Sequence, residues 1–140
     1  MRNYKKIVAL AAVFVLYALN AITLASPAGE KYSLMATKKF PNASGSAVIS
    51  DTRIDVDAAG LKPGSVYTVW FVNMKPKKQE AGAGQAPFMF KTDANGHGTY
   101  SSPLKASPHG SWHMLMIAEH PNGDPKDMKH MVGALSTEIE

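Results

Sequence analysis

The chain of 140 residues contains no cysteine. This removes disulfide cross-links, thiolate metal ligands, a cysteine nucleophile and lipoprotein anchoring through cysteine at once. The fold must be held by core packing alone. Net charge is also nearly absent beyond the N-terminus. Arg2, Lys5 and Lys6 account for three of the formal +4, and from residue 26 onward 12 basic side chains face 11 acidic ones. A basic pI that comes from the N-terminus is not the clustered basic surface that nucleic acid requires, and the short cluster at Lys75–Lys78 reads as a solvated loop. No nucleic-acid partner is expected.

The recognisable catalytic motifs are missing too. There is no Gly-x-Ser-x-Gly elbow, no zincin helix and no phosphate-cradling loop, since "GAGQAP" lacks the Lys-Ser/Thr that a P-loop needs. Asp55 and Asp57 are paired carboxylates, but they alternate with apolar residues and read as the wet face of a strand. Catalysis would have to rest on Glu119, His120 and Asp124, and the expectation is a protein without enzymatic activity.

The one long apolar run lies at the start. Arg2, Lys5 and Lys6 precede "IVALAAVFVLYAL", Ile7 to Leu19. Thr23 and Ala25 then occupy the −3 and −1 positions of a small-residue cleavage site. This is the pattern of a secretory signal peptide over residues 1–25, with a mature domain over 26–140. The alternative is an uncleaved anchor, because the run extends to Leu24, about the 18 residues a membrane span needs. The expected location is periplasmic or extracellular, with a membrane partner only if the N-terminal helix is retained.

The remaining residues, about 115, suffice for one domain with a real core. "DTRIDVDAAGL" alternates cleanly, with Thr52, Ile54, Val56 and Ala58 on one side and Arg53, Asp55 and Asp57 on the other, which is a strand with one wet face. "EKYSLMATKKF" places Tyr32, Leu34 and Ala36 together. "LKPGSVYTVWFVNM" opens on a Pro-Gly turn and runs apolar from Val66 to Val72, so it reads as a central strand buried on both faces. Lys75 to Ala86 lacks periodicity and is expected to be a flexible loop. "PFMFK", "TYSSPL", "GSWHMLMIAEH" and "HMVGALSTEIE" are further strands, with "TYSSPL" expected to pair back on "PFMFK" across a turn at Asn95-Gly96 and a second turn at "PNGDPKD". No helical periodicity follows residue 26. The predicted fold is all-β: a single antiparallel β-sandwich, immunoglobulin-like or cupredoxin-like, of about seven strands.

Two stretches together, "GLKPGSVYTVWFVN" (Gly60 to Asn73) and "AEHPNGDPKDMKHMVGALS" (Ala118 to Ser136), with "GHGTYSSPL" between them, resemble the extracytoplasmic C-terminal domain of anti-sigma-K factors. They are similar also to small secreted proteins that share the Leu-x-Pro-Gly-x-x-Tyr-Thr-Val-Trp strand. The resemblance covers about residues 60–136 and implies a β-sandwich. Its motifs describe strands and turns, not chemistry. It does not imply sigma-factor regulation, because only six residues precede the apolar run and no sigma-binding domain is expected there. The implied role is that of an exported binding or accessory module with an unknown protein or surface partner.

Chemistry concentrates in "HGSWHMLMIAEHPNGDPKDMKHM", His109 to Met131, which holds four of the five histidines and four of the eight methionines. One reading is structural: a core strand with methionine as filler and a polar turn. The other is copper binding, since thioether and imidazole are the ligands that soft copper(I) prefers. The candidate ligands are His113, Met116, His120, Met128, His130 and Met131. Strict alternation through "WHMLMI" would put Trp112, Met114 and Met116 on one face and His113, Leu115 and Ile117 on the other. The strand is superficially similar to one in periplasmic copper chaperones with a His-x-Met pair. It departs from that pattern at Leu115, which stands two residues after His113, where the methionine of the His-x-Met pair would be. His97 and His109 lie beside glycines in turns and read as surface residues. Trp70 and Trp112 read as core.

Overall fold

A computed structural model describes residues 29–139; the expected signal peptide at 1–25 lies outside these residues. The described chain is all-β, with nine antiparallel strands: β1 (Glu30–Ala36), β2 (Ser44–Ile49), β3 (Arg53–Ala59), β4 (Val66–Asn73), β5 (Gln79–Gly82), β6 (Met89–Lys91), β7 (Gly98–Pro103), β8 (Met114–His120) and β9 (Val132–Glu138). They form a curled sheet in the order β5-β4-β8-β9-β1-β2-β3-β7, with β6 pairing β4. This is the sandwich-like arrangement that the strand spacing implies.

Two layers arise because β1 serves both. Glu30 to Leu34 pair with β2, and Met35 and Ala36 pair with β9. A strand that changes partners midway makes the corner between two packed layers. One layer is β1-β2-β3-β7. The other is β5/β6-β4-β8-β9. Period-two alternation then sorts the side chains. Ala47, Ile49, Ile54, Val56 and Ala58 from the first layer meet Tyr67, Val69, Phe71, Leu115, Ile117 and Leu135 from the second in one core. The alternation in β3 holds: Ile54, Val56 and Ala58 are buried, while Asp55 and Asp57 face out to Ser101 and His97.

β4 is buried on both faces from Tyr67 to Val72, as its unbroken apolar run requires. Two expectations need correction. The segment Lys75 to Ala86 is not loop throughout. Gln79–Gly82 forms β5, an edge strand made by its backbone pairing to β4, which no side-chain period announces. The chain after the Asn95-Gly96 turn pairs with β3, not back onto β6, so this turn carries the chain from one layer to the other.

Candidate functional site

The methionines and histidines of the C-terminal third fall in three places. The first is the outer face of the β4-β8-β9 layer. Trp70, Val72 and Ala118 form a second apolar cluster there, with Phe88, Met114, Met116 and Met131 packed on it. Register explains the grouping. Gly82, Trp70, Met116, Ser136 and Met35 stand directly opposite one another across β5, β4, β8, β9 and β1. Facing residues of an antiparallel ladder share a face. Gly82 is essential to this row. A Cβ there would lie 2.2 Å from the Phe88 ring, so only glycine lets Phe88 lie over β5 and reach Trp70, 5.5 Å away between ring centroids. Phe88 adopts a φ of 62°, a left-handed conformation that is strained for a bulky residue. Met35 is 67% exposed at the far end of the row.

The second place is the end of β8. His120 is buried, and its Nε2 lies 2.7 Å from Thr68 Oγ1, which also accepts a hydrogen bond from Trp70 Nε1 at 2.6 Å. His120 Nδ1 is buried without a protein partner. On the opposite face Glu119, also buried, pairs with the exposed Lys62 at 3.2 Å. Glu119 and Lys62 line a cleft of about 440 Å³ together with Phe40, Leu61 and Val132. Tyr67 lies under this cleft. Its hydroxyl oxygen accepts the Lys62 backbone N–H at 3.0 Å.

Burial, reinforced by the Glu119 charge, pushes the Tyr67 phenol up to about 12, against the opposing effect of the Lys62 N–H. An unfolded tyrosine ionises near 10. The folded state therefore keeps a proton that the unfolded chain loses, and the stability this confers below pH 10 falls away between about pH 10 and 12. Tyr67→Phe is expected to reduce the alkaline decline in the urea midpoint, measured at pH 9 and 11.5. It should not abolish the decline, because Tyr32 is also raised to about 12 and Tyr100 is raised. An unchanged alkaline slope in Tyr67→Phe would contradict the assignment.

The third place is the loop between β8 and β9. Its polar groups hold the loop itself. Asn122 Oδ1 accepts from the Asp124 N–H, and Asp124 Oδ1 accepts from the Lys126 N–H. Asp127 accepts from the backbone of Lys129 and His130, from Asn122 Nδ2, and lies 2.7 Å from His130 Nδ1. The His130 contact, ahead of the others, holds the Asp127 carboxyl below its usual range. Met128 is 40% exposed.

The six candidate ligands are thus distributed. His113 immediately precedes β8 and His120 ends it, which puts them roughly 23 Å apart along the strand at about 3.3 Å per residue. Met116 and Met131 share the outer cluster, whereas Met128 and His130 belong to the loop. Among the described residues, no three His, Cys, Asp or Glu side chains converge to hold a metal ion. Alternation also fails at the start of β8. Trp112 stacks on Phe71, 6.4 Å between centroids, and packs on the main core. Met114 instead faces the outer cluster. Trp112 and His113 precede β8, and the chain bends at His113, which lines one groove with Met74, Met114 and Glu138. Met74 and Asn73, which holds His113, lack any signal in the sequence because the β4-β8 register that brings them to His113 is tertiary. In comparisons with known proteins, no family model, no curated protein and no solved structure matched the chain.

Proposed function

We propose that the protein is a non-catalytic binding module acting outside the cytoplasm, with the outer face of the β4-β8-β9 layer as its working surface. The leader pattern at 1–25 supports export, and the resemblance of residues 60–136 to an extracytoplasmic domain supports a binding or accessory role. One observation carries the choice of surface: the two outer faces differ in kind. On the β1-β2-β3-β7 layer the outward row contains Lys31, Val48, Asp55 and Ser101, and the next contains Ser33, Ser46, Asp57 and Thr99. On the other layer Met114, Met116, Met131 and Met35 lie around the buried Trp70 with Phe88 laid over it, and Ser136 is the one polar residue in the row from Trp70 to Met35. Polar side chains suffice to solvate an outer face, and a contiguous apolar one marks an interaction surface.

The chemistry of the face fits an apolar protein surface. Unbranched thioethers adapt to the partner's shape, which is why methionine is favoured on binding surfaces. A photoreactive amino acid placed at Met35, in the cells that make the protein, is expected to yield a discrete cross-linked species. The same group at Thr99, on the polar outer face, should not. Equal adducts from both positions, or none from Met35, would sink the proposal. Copper capture is the second reading. It is favoured by a different place in the fold, the groove at the start of β8.

A further inference from the structure

Asn73 ends β4, and its side-chain amide has a fixed orientation. Nδ2 donates to the Ser111 carbonyl at 2.9 Å, and Oδ1 accepts the His113 backbone N–H at 2.9 Å. Rotating the amide would oppose donor to donor and acceptor to acceptor at these two contacts. The same Oδ1 lies 2.8 Å from His113 Nδ1. A carbonyl oxygen only accepts, so Nδ1 carries a proton, and in the neutral imidazole Nε2 presents the lone pair. Donation of one ring N–H to a fixed acceptor is how proteins orient an imidazole that binds metal through its other nitrogen.

His113 lines a groove of about 430 Å³ with Met74, Lys75, Met114 and Glu138. Met114 stands across from Val72 on one side and Glu138 on the other, and Met74 follows Val72 by two residues. Met74 is one of the exposed large apolar residues of the described chain, at 54%. Lys75 and Glu138 offset one another, so the groove does not repel a cation. The available donors are one imidazole nitrogen, two thioether sulfurs and one carboxylate. Zinc sites are built from thiolate, imidazole and carboxylate in sets of three or four, and calcium takes six or more oxygens. Thioether with imidazole selects soft monovalent ions.

We propose that this groove binds copper(I), or silver(I) in its place, through His113 Nε2 and the sulfurs of Met74 and Met114, with Asn73 as a positioning residue. The site shares only His113 with the ligands expected from the sequence. It does not depend on the sheet face being a docking surface.

The test is a titration of the purified protein with copper(I), without oxygen and in competition with a chromophoric chelator, repeated with silver(I). Leucine replaces methionine with little change in volume, so Met74→Leu/Met114→Leu is expected to keep its melting temperature near wild type. Wild type should bind one equivalent. The double leucine variant and His113→Gln should each bind at least about 100-fold more weakly. Asn73→Ala should weaken binding about 10-fold, the lower end of what loss of an outer-shell partner costs. Met128→Leu/His130→Gln should bind as wild type. Absence of binding, binding that survives Met74→Leu/Met114→Leu, or binding lost only in Met128→Leu/His130→Gln would overturn the proposal. Cross-linking from Met35 reads the sheet face separately and is unaffected by any of these results.

Discussion

Gly60→Ala is expected to destabilise the fold by more than about 3 kcal/mol, or to prevent folding. Gly60 follows β3 with a φ of 68°, a conformation that costs an L-residue about 1 to 2 kcal/mol. Space adds the larger penalty. A Cβ at Gly60 would lie 2.0 Å from the Asn42 carbonyl oxygen and 2.8 Å from its carbon, backbone atoms that no rotamer change moves aside. The next residue, Leu61, is in the core and donates its N–H to Gly96 O. A shift at Gly60 is therefore carried into the contact between the layers. Gly64→Ala supplies the control. Its φ is 62°, but a Cβ there meets nothing within 4 Å, so it should cost only about 1 to 2 kcal/mol of conformational strain. Urea midpoints of the two variants separate clash from conformation. Equal midpoints would contradict the close approach of the β3 end to Asn42.

Thr68→Val is expected to cost about 2 to 4 kcal/mol although it scarcely changes volume. Thr68 is fully buried in β4. Its Oγ1 is the acceptor for Trp70 Nε1 and the only hydrogen-bond partner of the His120 ring, whose Nδ1 already lacks one. Valine leaves the indole N–H and both imidazole nitrogens buried and unpaired. Each orphaned buried polar group costs about 1 to 3 kcal/mol. Trp70→Phe in the Thr68→Val background should cost less than it does in wild type, because the indole N–H no longer has an acceptor to lose. The double-mutant cycle measures that coupling. A Thr68→Val protein within about 1 kcal/mol of wild type, with no coupling to Trp70, would mean the three side chains are not linked.

What could be read in the sequence and what could not divide along a physical line. Alternation in "RIDVDAA" gave the buried and wet faces of β3 correctly, because a strand with one wet face writes its period into its own residues. The apolar run of β4 likewise declared a strand buried on both sides. β5 was hidden because Gln79–Gly82 is a strand by virtue of its backbone pairing, not its side chains. Strict alternation failed at Trp112, because the strand begins only at Met114 and the chain bends at His113, leaving the indole on Phe71 in the core and His113 in the groove. The candidate site was legible in kind, since thioether and imidazole were the chemistry singled out. Its membership was not. Met74 and Met114 join His113 only through the register between β4 and β8, which no local pattern encodes. His120, His113 and His130 lie close in sequence, yet strand length and an Asx-closed loop hold them apart.

The central claim, that the methionine-rich outer face is covered by a partner where the protein works, is tested most directly by methionine oxidation read by mass spectrometry. The purified protein and intact cells that make it would be exposed to the same dose of peroxide. Met35 is the most exposed methionine of the face, and Met128 is an exposed loop methionine away from it. Met35 should oxidise several-fold more slowly in cells than in the purified protein, relative to Met128 in the same samples. An unchanged Met35 to Met128 ratio would mean that the face stands open to solvent in its own setting, and would contradict the account.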